Sequence, residues 1–450
     1  MTRRTFFSII GAVVVATLIG AYYVILRGDV ATLPVAADVG PSPVLPAPKR
    51  TLIPTVNIAP ARGWPVGGKP TAAGAFLVTA YARGLDHPRW LYVLPNGDVL
   101  VAETDAPTRP RDSSGLRGVI SRAVQSWAGA GVPSANRITL LRGSDDGFAS
   151  KHVFLTNLNS PFGMTLVGND LYVANTDAVV RFPYVPGATQ ISDLGIKITD
   201  LPAGPINHHW TKNLIASRDG AKLYVTVGSN SNVAENGIEQ EESRAAILEV
   251  DAATGKRRIF ASGLRNPNGM DWEPETGALW TVVNERDELG SDLVPDYLTS
   301  VKDGGFYGWP YSYYGRHLDS RVPENPQMVA KAIVPDYALG NHTASLGLTF
   351  YRGSLLSQQY RGGAFIGQHG SWNRRPHSGY KVVFVPFANG RPSGLPEDVL
   401  TGFLDDEGHA LGRPVGVAID SQGALLVADD VGNAVWRVRA AGTLSNGAAR

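Results

Sequence analysis

The stretch LYVLPNGDVLVAET, residues 91–104, reads as a strand, a tight Pro-Asn-Gly turn and a second strand with apolar residues at alternate positions. The same phrase returns as GMTLVGNDLYVANT (163–176), NLIASRDGAKLYVTVGS (213–229) and GMDWEPETGALWTVVNE (269–285). It returns again as GLTFYRGSLLSQQYRGGAFIGQHG (347–370) and GVAIDSQGALLVADD (416–430). Copies begin roughly 50–75 residues apart, about the length of a four-stranded unit with its loops, so each reads as one blade of a propeller. The expected fold is therefore all-β, a six-bladed β-propeller over residues 75–440. A run of unrelated hairpins in a β-sandwich would have little reason to repeat one strand–turn–strand phrase so evenly.

Composition bounds what such a domain does. A formal net charge of +1 gives no bulk electrostatic pull toward nucleic acid. The absence of cysteine excludes disulfides, thiolate metal sites and cysteine nucleophiles, and suits an oxidising compartment. Residues 6–26 are almost uninterruptedly apolar and follow Arg3 and Arg4. That pattern predicts an N-terminal transmembrane helix within residues 1–30, with the bulk of the chain on the periplasmic or extracytoplasmic side. A cleaved signal and a twin-arginine export signal are the competing readings of the same residues. Residues 31–74, rich in Pro, Ala, Val and Gly, read as an extended tether, and 441–450 as a short polar tail.

Polar residues at the ends of repeated strands are the candidates for a site, because a propeller gathers its loops around a central channel. NHHWTK (207–212) places two histidines, an aromatic and a lysine just before a strand; it suits proton transfer at neutral pH and equally a surface loop. GLRNPNG (263–269) offers Arg265, a planar fork of donors for carboxylate or carbonyl oxygens, beside a proline-fixed turn. NERDELGSD (284–292) is dense in hard oxygen donors of the kind Ca²⁺ takes, although its spacing is not that of an EF-hand and a solvated acidic loop would look the same. GGFYGWPY (304–311) interleaves aromatics with glycines, as needed for stacking a planar cofactor or sugar, or for packing the core.

Together with RPVGVAIDSQGALLVADD (413–430) and GLDHPRWLYVLPNGDVLVAE (84–103), these segments resemble the glucose/sorbosone dehydrogenase family, in particular its sorbosone-dehydrogenase-like branch. Members are quinoprotein six-bladed propellers that use pyrroloquinoline quinone (PQQ) and Ca²⁺. The resemblance implies oxidation of an aldose or related polyhydroxy aldehyde, with electrons passing on to an acceptor that the sequence does not name. It implies His209 as the base that takes the substrate hydroxyl proton while hydride moves to the quinone C5. Arg265 and Asn266 would polarise the reactive carbonyl, and Asn268 and Arg413 would contact the cofactor. The family's cofactor-gripping lysine has no plain counterpart; His369, Trp372 and Arg374 are its candidate replacements, and Lys212 is a further candidate cofactor contact. Calcium would lie near Glu285, Arg286 and Asp287, held largely by backbone carbonyls.

Two other functions share the scaffold. A calcium-dependent lactonase would need Glu103, Asn175, Asn284 and Asp429, at strand ends in four blades, to converge on a metal. A non-catalytic propeller binding a glycan or a protein would need none of these residues in place.

Overall fold

Each of the six quoted phrases supplies the two innermost strands of one sheet. In chain order the innermost strands are Pro88–Val93, Met164–Val167, Leu214–Ala216, Pro267–Trp272, Ser345–Phe350 and Pro414–Ile419. Each pairs antiparallel with the strand that follows its turn, and two further strands complete the blade. The coordinates are a computed structural model that describes residues 3–22, 28–49, 55–107, 126–144, 147–204 and 206–441.

The sixth blade is finished from the other end of the domain. Its outermost strand is Phe76–Arg83, which pairs with Ala434–Ala440 from Phe76 opposite Ala440 to Arg83 opposite Ala434. That pairing closes the ring.

Two kinds of residue explain why the blades fit around an axis. In four copies a glycine lies where the next blade comes closest. A Cβ on Gly163 would meet the backbone of Leu214, on Gly269 that of Leu348, on Gly347 that of Val415, and on Gly416 that of Arg89. Further out, buried rings fill the widening gaps. Trp90 lies 4.7 Å from Phe162 between blades one and two, and Tyr224 lies 5.4 Å from Trp272 between blades three and four. Each such ring contributes about 1.5–3 kcal/mol through burial.

The N-terminal expectations need correction. A helix forms over Arg3–Ala21, but no helix among the described residues is long and apolar enough to cross a membrane. Residues 23–27, the end of the expected span, lie outside the described residues. The described parts of the segment read as a tether, 31–49 and 55–74, lie along the propeller instead. Val39–Gly40 adds a short strand to the edge of blade four, and Thr71–Ala72 adds one to blade five. A Pro- and Ala-rich sequence reads as extended in isolation, but its backbone donors and acceptors still find partners at exposed sheet edges.

Candidate functional site

Innermost strands begin, and second strands end, at one end of the ring. A cleft of about 460 Å³ opens there, lined from five of the six blades. Its size is that of a small-molecule site. Residues singled out in the sequence line it: His209, Asn266, Asn268, His369, Trp372 and Arg413, and Asn284 from the lactonase quartet.

His209 is held from behind. Its Nδ1 donates to the Ser229 carbonyl at 2.7 Å. A carbonyl only accepts, so Nδ1 carries the proton and Nε2 keeps its lone pair. Burial, reinforced by the nearby Arg265 charge, holds the imidazole well below its usual pKa, which keeps it neutral.

Around it stand groups with unspent hydrogen-bonding capacity. The side-chain oxygens of Asn266 and Asn268 are buried without a partner. Asn268 donates to Thr211 Oγ1 at 3.1 Å. Arg413 is fixed at both ends: its backbone N donates to Asp429 Oδ1 at 2.8 Å, and one Nη donates to the Ala59 carbonyl at 3.1 Å. Its guanidinium lies 4.9 Å over the Tyr380 ring. His369 bonds through Nε2 to Asp430 Oδ2 at 2.8 Å, and burial lowers its pKa to about 4. Trp372 is 41% exposed and gives the cleft a flat apolar wall.

The other candidates serve elsewhere. Arg265 donates to the Glu285 carbonyl at 2.7 Å and to Asn232 Oδ1 at 3.0 Å, and it faces Asp287 at 3.4 Å, so it braces the acidic loop behind the cleft. Lys212 is wholly buried, and its Nζ donates to the carbonyls of His209 and Trp210. It therefore supports the histidine turn rather than gripping a ligand. Arg374 donates to the carbonyls of Ser291 and Pro376 at 3.0 Å each and is consumed by its own loop.

The expected calcium residues do not fit that ion as they stand. Arg286 is a cation paired in the interior with Asp319. The Glu285 carbonyl accepts from Arg265, and the Asp287 carbonyl accepts from Arg286 and Arg321. Burial raises Glu285 to about 8, so its carboxyl holds a proton at neutral pH. A loop whose carbonyls face three guanidinium groups offers no cage of free oxygens. Three of the lactonase quartet are already engaged by other groups. Glu103 is held by Arg137 at 2.7 Å, Asn284 faces Arg265, and Asp429 accepts from the indoles of Trp64 and Trp436.

Sequence reasoning missed Arg89, which lines the cleft, lies 5.6 Å over the Trp210 ring and pairs with Asp430 at 2.8 Å. A signal was available. His87-Pro88-Arg89, Arg265-Asn266-Pro267 and Arg413-Pro414 each place an arginine within two residues of the proline that opens an innermost strand.

Fold and site together define a six-bladed propeller with a cleft at one end of the ring, lined from five blades. Residues 168–371 match the glucose/sorbosone dehydrogenase family, and residues 324–441 match the TrAA12-like family. An uncharacterized protein of Borreliella burgdorferi is 29% identical over 297 residues, covering 62% of this chain and 76% of that protein. The pyrroloquinoline quinone-dependent pyranose dehydrogenase of Coprinopsis cinerea is 24% identical over 346 residues, 63% of this chain but only 46% of that enzyme. The solved PQQ domain of the C. cinerea pyranose dehydrogenase superposes with a TM-score of 0.64 at 21% identity, covering 82% of this chain and 97% of that domain. The match to the glucose/sorbosone dehydrogenase family thus lies in residues 168–371, somewhat less than half of the chain.

Proposed function

We propose that this protein is a PQQ-dependent oxidoreductase that oxidises an aldose or a related polyhydroxy aldehyde. The observation that carries the reading is His209, a neutral imidazole in the cleft whose Nδ1 is committed to Ser229 and whose Nε2 is free to accept a proton.

The cleft residues fit a planar, carboxylate-bearing quinone. Arg89 and Arg413 bring positive charge to its walls, the Trp372 ring supplies a flat face, and Asn266 and Asn268 hold unpartnered side-chain oxygens. The chemistry such a group supplies when bound is acceptance of a hydride from the substrate carbon. The protein's share is to hold the substrate hydroxyl against His209, which takes its proton, and to keep the imidazole neutral through burial and the Arg265 charge. Calcium takes no part in this reading, because the acidic loop does not fit it. The apolar sequence 6–26 behind Arg3 and Arg4, taken as an export signal, supports an extracytoplasmic setting for the propeller.

The test uses the purified chain titrated with PQQ and assayed by dye reduction over a panel of sugars. His209→Gln is expected to retain quinone binding while turnover falls about 10²–10⁴-fold. For the unsubstituted enzyme, the acid limb of kcat/KM should lie below pH 6.5, the ordinary histidine value, since the folded protein holds His209 lower. Unchanged turnover in His209→Gln would remove the base, and failure of the intact chain to bind quinone would remove the function.

A further inference from the structure

The segment ahead of the propeller reaches the cleft. The Asn57 backbone N donates to the Trp372 carbonyl at 2.7 Å, and its side-chain Nδ2 donates to the Arg374 carbonyl at 2.8 Å. Two residues on, Ala59 is fully buried, and its carbonyl accepts from Arg413. Trp64 then donates through its indole N–H to Asp429 Oδ2 at 2.7 Å. The other oxygen of the same carboxylate holds the Arg413 backbone. Trp64 is itself wedged edge-on between Trp436, at 5.5 Å, and Phe403, at 5.6 Å.

Upstream, the Asp29 carboxylate accepts from the Ser291 backbone at 2.7 Å, and the Ser291 carbonyl accepts from Arg374. The Ala31 backbone N donates to the Arg375 carbonyl at 2.7 Å. Residues 29–31 and 57–64 thus grip the loop that carries Trp372 and fix the plane of the Arg413 guanidinium. None of these N-terminal residues belongs to a blade.

We propose that residues 57–64 form a positioning strap for the cleft, with Asn57 setting the Trp372 loop and the Ala59 carbonyl setting Arg413. Asn57 and Ala59 act through cleft residues and do not line the cleft themselves. The propeller closes on itself through Phe76–Arg83, so the ring does not need the strap for closure, whereas two walls of the cleft do. The ligand half of this proposal rests on the quinone reading above; the loop half does not.

The test uses the full chain with Asn57→Ala and Asn57→Asp, the second keeping the shape but losing the donor. Amide hydrogen exchange over residues 371–378 is expected to speed up about fivefold in both, the worth of one net hydrogen bond. The Kd for PQQ, read by absorbance titration, should rise by about the same factor, with Tm nearly unchanged. Arg62→Gln lies in the same strap but pairs with Asp405 at 3.1 Å, and it should change neither readout. Faster exchange spread evenly over all blades, or no local change, would overturn the strap. If the unsubstituted chain binds no PQQ, the quinone reading fails while the exchange data still decide the strap.

Discussion

Glu285 is wholly buried between Asp296 and Asp287, and burial raises its pKa from 4.5 to about 8 in spite of Arg265. From about pH 4.5 to 8 the folded chain therefore holds a proton there that the unfolded chain has released. Unfolding then releases a proton, so the contribution to stability is complete below pH 4.5 and is lost as pH rises toward 8. A glutamine at this position has no proton to lose. Glu285→Gln should thus raise Tm at pH 8 and change it little at pH 5, with a gain at pH 8 on the order of 1–3 kcal/mol. Equal effects at the two pH values would show that Glu285 titrates normally. The same residue shows what a sequence hides at this scale. NERDELG announces carboxylates near a site, but only the fold reveals that arginines 265, 286 and 321 have turned toward its carbonyls. Lys212 and Arg374 repeat the lesson: the residue type was legible and the direction of the side chain was not.

At the scale of the blade, the repeated glycines are a spacing device. Gly347 and Gly416 start their phrases because the neighbouring inner strand passes within reach of a Cβ, and the atoms met are backbone. Backbone cannot rotate aside as a side chain can. Gly347→Ala should therefore cost about 1–3 kcal/mol by overpacking. Gly74→Ala meets nothing within 4 Å and should be close to neutral. Thermal unfolding of the pair checks this, and equal Tm values would mean that the inner strands can part at no cost. The blades were legible because their two inner strands are the most regular part of the chain: short, alternating, and joined by turns such as the one at Gly97, whose φ of 88° suits glycine. The outer strands are separated by long and varied loops and left no comparable phrase. Residues 31–74 were misread for a related reason. They attach through backbone pairs and single side chains such as Asn57 and Trp64, and such contacts impose no period on a sequence. The cleft was half legible, since His209, Asn266 and Arg413 sit in marked phrases while the strap joins them only in space.

The ring as a whole is sealed by the pairing of its two ends, Phe76–Arg83 with Ala434–Ala440. Every other blade draws its four main strands in order from one stretch of the chain, although short strands intervene before the fourth strand of blades four and five. Contacts between the chain's extremes must bring together segments separated by the entire domain. The entropy of that closure is offset only once the blades between them stand in place. The seam should therefore form after the rate-limiting step of folding. Phe76 is the seam residue to substitute: it is buried and lies 4.9 Å from the Tyr360 ring of blade five. Phe76→Ala is expected to cost about 3–5 kcal/mol, nearly all of it appearing as faster unfolding. Its refolding rate should change by less than about twofold, as a contact absent from the transition state requires. Ile366→Ala removes a fully buried side chain from the second strand of blade five, whose partners are near in sequence, and it should slow refolding as well. Stopped-flow measurement of both arms for the two variants separates the cases. A slowed refolding arm for Phe76→Ala would place the seam within the nucleus, and the ring would then have to close before its blades are complete.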